Sequence, residues 1–330
     1  MTEPALFVAV DGGNAKTDVV LGDAVGRVLA HRRGPGSSPH TLGVPAAVDL
    51  IGSLVAEVRA AAGLPAARPI QRLAVYLAGL DLPVEVNAFT KAVTETGWAA
   101  EYAAENDTFA VLRAGTDSPD AIAVVCGAGI NCAGRRADGR TARFPALGAI
   151  SGDWGGGEHL GGLALWHAAR GEDGRGPATA LADAVCVHFG RASVEDVGIG
   201  LHLGDIALDR LHELGPVLFR VADAGDPVAR RVVARQADEI VRLVAVTAGR
   251  LDLSGRPYAV VLGGGVLTAR HPLLLDAVVA GVHAHSPRAE VGVLDDPAVT
   301  GAALLTLDAL DAPDAGPVVR AQLAAVFAAR

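Results

Sequence analysis

The chain carries one arrangement of strands and turns twice, and this repetition restricts the folds open to it. The first copy opens with LFVAVDGG, KTDVVLGD and GRVLAHRRG, whose apolar runs end in Gly or Asp and so predict three meandering strands. Helical spacing of apolar residues follows over residues 45–62, then a strand at RLAVYLAGL and a helix over about residues 83–96. Near residue 121 the order begins again with AIAVVCGAG, NCAGRRADG and TARFPALG. The repeat predicts two similarly built α/β halves with a cleft between them.

Length and charge limit the class of protein further. A chain of 330 residues exceeds the usual size of a single core, so we expect two domains, residues 1–118 and 119–330, with the last helix a candidate to pack back onto the first. No apolar run approaches the roughly 18 residues of a spanning helix, and residues 1–20 lack a leader pattern. The net charge of −9 disfavours a nucleic-acid surface. We therefore expect a cytoplasmic protein that binds neither membrane nor nucleic acid.

Three strands end in glycine-rich turns. They are VDGGNAKTD (10–18), VCGAGINCAG (125–134) and VLGGGVL (261–267). Glycine allows backbone N–H groups to approach phosphate oxygens closely, and two of these turns open the repeated halves. None of them matches the G-x-x-x-x-G-K-[ST] loop or the G-x-G-x-x-G dinucleotide pattern. The turns therefore indicate a different architecture for binding phosphate.

Taken in order, the motifs resemble a known superfamily over essentially the whole chain. VDGGNAKTDVVL resembles the first phosphate motif, CGAGINCAG the second and VVLGGGVL the adenosine motif of the actin, sugar-kinase and heat-shock chaperone superfamily. Within it, the chain is most similar to the N-acetylglucosamine kinases grouped with the BadF/BadG/BcrA/BcrD ATPases. The resemblance implies an α/β fold of duplicated ribonuclease-H-like (actin-like ATPase) domains with an interdomain cleft, which bind ATP, Mg²⁺ and a sugar.

The resemblance also implies nucleotide-binding residues. Asp11 would lie beside the magnesium ion, through water, and the first turn would face the β- and γ-phosphates. The cofactor-binding residues implied are Asp11, Gly12, Gly13, Asn14, Lys16 and Thr17 in the first turn, Gly127, Ala128 and Gly129 in the second, and Gly263, Gly264 and Gly265 in the third.

Asp107 and three further residues match the catalytic and sugar-binding positions of these kinases, and Ser38 lies nearest to a position where the family usually has Asn. Asp107, between a predicted strand and the helix 108–114, matches the catalytic acid that takes a proton from the attacking sugar hydroxyl; its alternative role is a helix N-cap. The implied contacts to the sugar are those of Ser38, Asn131, Gly148 and Asp153, together with Asp107. For Asn131 and Asp153, a turn-capping role stays open.

The implied reaction is transfer of phosphate from ATP to an amino sugar, with the 6-hydroxyl of N-acetylglucosamine as the expected acceptor and a homodimer as the expected assembly. Ala128 and Ile130 replace hydroxyl residues of the family's second turn, so phosphate would be held there by backbone N–H groups alone. Glucosamine, an N-acetylmuramic-type sugar and other hexoses remain alternatives, as does a sensor without turnover. An iron–sulfur activator, in which cysteines of two subunits supply the four thiolates of a cluster, is a further alternative; it is disfavoured because Cys126 and Cys132 flank an apparent phosphate turn and Cys186 lies on a predicted helix.

Overall fold

The computed structural model describes residues 3–65 and 67–328, which form ten strands and thirteen α-helices. The strands are β1 Leu6–Gly12, β2 Lys16–Asp23, β3 Val28–Pro35, β4 Arg72–Leu77, β5 Glu101–Asn106, β6 Ala121–Cys126, β7 Ile130–Arg135, β8 Thr141–Arg143, β9 Tyr258–Gly263 and β10 Ala289–Val293. The helices are α1 Pro39–Leu42, α2 Val44–Ala61, α3 Pro83–Thr94, α4 Asp107–Gly115, α5 Gly157–Glu172, α6 Leu181–Phe189, α7 Val194–Leu203, α8 Leu214–Asp223, α9 Pro227–Arg250, α10 Gly265–Thr268, α11 Pro272–His285, α12 Ala298–Asp308 and α13 Gly316–Ala328.

The first sheet has the order β3-β2-β1-β4-β5. Strand β1 pairs antiparallel with β2, and β2 pairs antiparallel with β3, as expected for strands joined by tight turns. Strands β4 and β5 continue the sheet in parallel with β1, because helices α2 and α3 carry the chain back between them. The carboxyl ends of β1, β4 and β5 consequently lie along one edge of the sheet.

The second sheet repeats this layout, with the order β10-β9-β6-β7-β8. Strand β6 takes the place of β1, β7 and β8 those of β2 and β3, and β9 and β10 those of β4 and β5. The corresponding pairs also agree in direction, since β7 and β8 are antiparallel and β9 and β10 are parallel. The α/β duplication that the sequence predicts is therefore confirmed.

The helices follow their apolar spacing closely. The prediction over residues 45–62 corresponds to α2, and the prediction over about residues 83–96 corresponds to α3. Each of these helices has proline at its first or second position, where a missing N–H costs no hydrogen bond. Within residues 3–65 and 67–328, no helix is both long and apolar enough to cross a lipid bilayer.

The chain divides into two compact units. The first contains the described parts of Met1–Ala123, Ala133–Pro145 and Leu294–Arg330; the second contains Val124–Cys132 and Ala146–Val293. These units differ in their limits from the two domains expected at 118/119, and the domain boundary stays a prediction.

In the first unit, the sheet is covered on both faces. Alternate residues of β1 point to opposite sides, so Val8 and Val10 pack with α2 and α3, whereas Phe7 and Ala9 pack with α12 and α13. All four residues are fully buried. The terminal helix α13 contributes Val319 and Leu323 to the second layer.

Helices α4 and α12 approach closely in this unit because α12 carries Gly301. A Cβ added to Gly301 would overlap the carbonyl oxygen of Ala110 in α4. We expect Gly301→Ala to lower the free energy of unfolding by about 3 kcal/mol, since the backbone of a packed helix has little room to shift. Denaturant unfolding measures this change.

Gly198 in α7 provides the matched control, because an added Cβ there meets nothing within 4 Å and its backbone is helical. Gly198→Ala should raise the unfolding free energy by roughly 0.5–1 kcal/mol through helix propensity. Equal effects of the two substitutions would contradict the close approach of α4 and α12.

Candidate active site

The residues predicted to bind ligands fall into two sets, one in each compact unit. The first unit holds the turn between β1 and β2, Ser38 and Asp107. The second unit holds the glycine turns after β6 and β9 and the predicted sugar contacts Asn131, Gly148 and Asp153.

The first turn is tight and leaves no space for side chains at Gly12. A Cβ at this position would overlap Ser37 Oγ and lie 2.5 Å from Leu77 Cδ2. The Gly13 N–H donates to Lys16 O at 2.9 Å and closes the turn, while the Asn14 and Lys16 side chains are exposed. Thr17 is fully buried, and its Oγ1 lies 2.7 Å from both Pro35 O and Ser37 Oγ. The Thr17 hydroxyl group therefore links the turn to residues 35 and 37.

A buried ion cluster stabilises the strands that carry this turn. Asp18, at 1% exposure, lies 2.9 Å from His31 Nε2 and accepts two hydrogen bonds from Arg33 at 2.9 and 2.8 Å. Lys16 Nζ adds a contact of 3.2 Å. Burial opposes ionisation, but the hydrogen bonds from His31 and Arg33 and the charge of Lys16 outweigh it and hold the pKa of Asp18 well below its usual value.

Asp11 lies next to this cluster, but its pKa is shifted in the opposite direction to that of Asp18. It is near the end of β1, where it pairs with Asp18 on one side and Tyr76 on the other. Burial, and then the negative charge of Asp107, raise the pKa of Asp11 to about 7, although Lys16 and Arg33 act against this. The Asp11 carboxyl group consequently lies where additional positive charge would be favourable.

Asp107 begins α4, but the helix cap is its neighbour. The Asn106 side chain accepts a hydrogen bond from the Thr108 N–H at 3.0 Å, and its Nδ2 donates to Asp81 Oδ1 at 2.8 Å. Burial, followed by the charge of Asp81, raises the pKa of Asp107 to about 7. The N-cap role considered for Asp107 thus belongs to Asn106.

Asp81 is the acid that the sequence reasoning missed. It lies in the loop after β4, whereas Asp11 is the last but one residue of β1 and Asp107 directly follows β5. Because these three strands are parallel, their carboxyl ends bring the three acids to one edge of the sheet. Burial raises the pKa of Asp81 to about 6 despite the charge of His40. Asp81 could have been identified from the sequence, because an aspartate occurs at or shortly after the end of each of these three strands.

Ser38 and His40 lie beside Asp81. Ser38 is 2% exposed, and a Cβ added to Gly79 would lie 2.9 Å from Ser38 Oγ and 3.1 Å from His40 Cγ. His40 Nε2 lies 2.8 Å from Glu85 Oε1, while Glu85 Oε2 accepts the N–H groups of Asp81 and Leu82. Glu85 thereby fixes the chain that carries Asp81.

The second glycine turn joins β6 to β7 and is bound to the start of α5. The Gly127 N–H donates to Gly129 O at 2.9 Å within the turn. Gly157 N–H donates to Gly127 O at 2.7 Å, and Glu158 N–H donates to Ala128 O at 3.1 Å. The first N–H groups of a helix have no acceptor within the helix, and two of those of α5 bind the carbonyl groups of this turn.

The third turn follows β9. Gly263 ends the strand, Gly264 has φ of +84°, and Gly265 begins α10. A Cβ added to Gly264 would lie 2.5 Å from the carbonyl oxygen of Cys126. Glycine is thus required here both for its φ angle and for its contact with the end of β6.

Two of the predicted sugar contacts lie together in the second unit. The Asp153 N–H donates to Gly148 O at 3.1 Å, and Asp153 Oδ2 accepts from Ser151 Oγ at 2.7 Å. Asn131 Oδ1 accepts the N–H of Cys132 at 2.7 Å. Local hydrogen bonds therefore orient both the carboxylate and the amide.

The cysteines do not suit a metal cluster. Cys126 and Cys132 are fully buried, and burial raises the pKa of each thiol to about 12. Cys132 Sγ also lies 3.3 Å from Thr247 Oγ1. Because thiolates are the ligands of iron–sulfur clusters, this chemistry argues against the activator alternative.

Comparison with known proteins gives consistent relatives. The model of the BadF/BadG/BcrA/BcrD ATPase family matches residues 8–305. An N-acetyl-D-glucosamine kinase of Dictyostelium discoideum is 25% identical over 314 residues, which cover 92% of this chain and 98% of the relative. An N-acetylmuramic acid/N-acetylglucosamine kinase of Clostridium acetobutylicum is 24% identical, covering 79% of this chain and 85% of the relative.

Solved structures support the fold. A proposed N-acetylglucosamine kinase from Chromobacterium violaceum has a TM-score of 0.71 at 22% identity, covering 92% of this chain and 99% of its own. A ROK family glucokinase from Streptomyces griseus, in complex with glucose and AMPPNP, has a TM-score of 0.56 at 19% identity, covering 91% and 99%. Together with the repeated sheets, these similarities confirm the duplicated ribonuclease-H-like fold.

The Asp18 cluster generates a stability prediction. We expect Asp18→Asn to lower the unfolding free energy by about 3 kcal/mol at pH 7, because His31 and Arg33 lose a buried charged partner. Denaturant unfolding of both proteins over a range of pH measures the difference.

The sign of the pH dependence follows from the depressed pKa. The contribution of Asp18 is present above its unfolded pKa of about 3.8 and is lost as pH falls through the lower folded value. The gap between wild type and Asp18→Asn should therefore be constant near neutrality and narrow below about pH 4. A gap that widens in acid would contradict the assignment.

Proposed function

Since the chain belongs to the BadF/BadG/BcrA/BcrD ATPase family, we propose that it is an ATP-dependent kinase for an amino sugar, with the 6-hydroxyl of N-acetylglucosamine as acceptor. The observation that carries the proposal is the pair of half-buried acids, Asp11 and Asp107, at the carboxyl edge of the first sheet, each with a raised pKa. The names of the relatives from Dictyostelium discoideum and Clostridium acetobutylicum support an N-acetylated amino sugar as substrate.

Asp107 is assigned as the general base. Its pKa, raised to about 7 by burial and by Asp81, is close to the value at which a carboxylate accepts a proton most effectively near neutral pH. It would take the proton from the sugar hydroxyl as the oxygen approaches the γ-phosphorus atom. Asn106 supports this role because its side chain, and not that of Asp107, caps α4. Asp107 is then the first residue of the helix.

The acids also fit a magnesium site. Mg²⁺ prefers carboxylate oxygen and usually retains much of its water, and Asp11 offers such an oxygen in surroundings that raise its pKa. Asp11 is the residue proposed to hold the ion, directly or through water. When bound, Mg²⁺ would neutralise charge on the phosphates of ATP.

The remaining contacts are assigned to turns and polar side chains. The first turn, residues 12–17, would bind the β- and γ-phosphates, with Thr17 contributing through its backbone; the second, 127–129, would bind phosphate through N–H groups, and the third, 263–265, would bind adenosine. Ser38, Asn131, Gly148 and Asp153 are the proposed sugar contacts. The cytoplasmic location and the homodimer also stay predictions.

Substrate identity can be tested with ADP release. We expect ADP to be released with ATP and Mg²⁺ when N-acetylglucosamine is added, and more slowly with glucosamine, N-acetylmannosamine, N-acetylmuramic acid or glucose. A coupled assay across this panel measures the preference, and phosphorus NMR of the product identifies the phosphorylated hydroxyl. Nucleotide binding without ADP release for any sugar would favour a sensor over a kinase.

Asp107→Asn tests the proposed base. We expect kcat to fall at least about a hundredfold while nucleotide affinity changes little, because the amide keeps the size of the side chain but cannot accept the proton. Steady-state kinetics with the preferred sugar and calorimetric titration with AMPPNP measure the two quantities.

Asp117→Asn is the control for Asp107→Asn, because Asp117 is exposed and follows the far end of α4, where it pairs with Arg113. Its kcat should remain within about twofold of wild type. The wild-type kcat should also decrease as pH is lowered below neutrality, since a raised pKa leaves Asp107 protonated in acid. Unchanged turnover of Asp107→Asn would remove this residue from the mechanism.

A further inference from the structure

Gln236 occupies a position in α9 that packing alone does not explain. Its side chain is fully buried, and its Oε1 accepts the N–H of Gly156 at 3.1 Å. Its Nε2 is also buried but has no hydrogen-bond partner among the described residues. A buried donor without a partner lowers the free energy of unfolding, so the Nε2 group contributes nothing to the stability of the core.

The Gln236 amide packs against two glycines with left-handed backbone. Gly155 has φ of +118° and Gly156 has φ of +90°. A Cβ added to Gly155 would overlap Gln236 Oε1 and lie 2.6 Å from Nε2. The amide and the glycine pair therefore fix each other's position.

The glycine pair in turn contacts the second glycine turn. A Cβ on Gly156 would lie 2.5 Å from Ala128 O, so the two backbones are in direct contact. The next two residues, Gly157 and Glu158, donate their N–H groups to Gly127 O and Ala128 O. Gln236 is thus separated by one residue from the hydrogen bonds that hold this turn.

These two hydrogen bonds determine where the turn's own N–H groups point. In a trans peptide the N–H is directed opposite to the C=O of the same unit. Because Gly127 O and Ala128 O face the start of α5, the N–H groups of Ala128 and Gly129 face away from it. Ala128 and Ile130 have no hydroxyl group, so binding of an anion at this turn depends on the direction of these N–H groups.

We propose that Gln236 is a positioning residue for the terminal phosphates of the nucleoside triphosphate: by holding Gly156, it sets the peptide planes of residues 127–129. This inference rests on the proposed function only in assigning that turn to phosphate. It explains why α9 retains a buried amide whose second polar atom has no partner.

The test is Gln236→Met, which keeps the length of the side chain and removes both polar atoms. We expect the affinity for AMPPNP with Mg²⁺ to fall about fivefold, the effect of losing roughly one net hydrogen bond. In the protein without nucleotide, hydrogen exchange should become faster at Gly157 and Glu158 as well as at Gly156. The melting temperature should change little, because the unpaired Nε2 donor is removed while the Gly156 N–H loses its acceptor.

Gln322→Met is the matched control. Gln322 in α13 also accepts a backbone N–H, that of Val28 at 2.7 Å, but it lies in the other compact unit. This substitution should leave AMPPNP affinity and exchange at residues 156–158 unchanged.

The outcomes separate this inference from the proposed function. A lower melting temperature of Gln236→Met with unchanged AMPPNP affinity would show a structural role and overturn the inference, as would exchange that increases at Gly156 alone. If the wild type binds AMPPNP but phosphorylates no sugar, the proposed function fails, whereas a fivefold loss of affinity in Gln236→Met would still support the inference.

Discussion

Parallel pairing of β4 with β1 and of β5 with β4 is the constraint on which the candidate site depends. The carboxyl ends of parallel strands lie at the same edge of a sheet. Polar residues at the ends of neighbouring strands therefore lie close to one another. Asp11, Asp81 and Asp107 occupy these three ends. Burial raises the pKa of all three; in addition, the charge of Asp107 raises the pKa of Asp11, and the charge of Asp81 raises that of Asp107.

The neighbouring strands show how the same fold treats a carboxylate with a structural role. Asp18 is one strand away from Asp11 and is surrounded by His31, Arg33 and Lys16, which favour its charged form. Asp11 is opposed by Asp107 and only partly compensated by Lys16 and Arg33. Asp18, whose charge is compensated, stabilises the three-stranded meander, whereas Asp11, whose charge is not, lies where a cation would be favourable.

Much of this fold was predictable because the signals are local. The spacing of apolar residues in α2 and α3, the proline near the start of each and the glycines after β1, β6 and β9 all act within a few residues. Asp11 and Asp107 could be found by the same reasoning, since each stands where a strand gives way to a turn or helix. The cap of α4, an alternative role left open for Asp107, is instead Asn106, because Asn and Asp are equally good caps and only the hydrogen bond to Thr108 distinguishes them.

The sequence by itself determined the duplicated order of strands, the glycine turns and the two acids at strand ends, since these follow from periodicity and from the steric freedom of glycine. Only the tertiary structure decided that Asp81 joins those acids, that Asn106 links Asp81 to α4, and that Gln236 reaches Gly156. Asn106 and Asp81 are 25 positions apart in the chain, and Gln236 and Gly156 are 80 positions apart. Such pairs depend on how sheets and helices pack, and no local pattern in the chain specifies them.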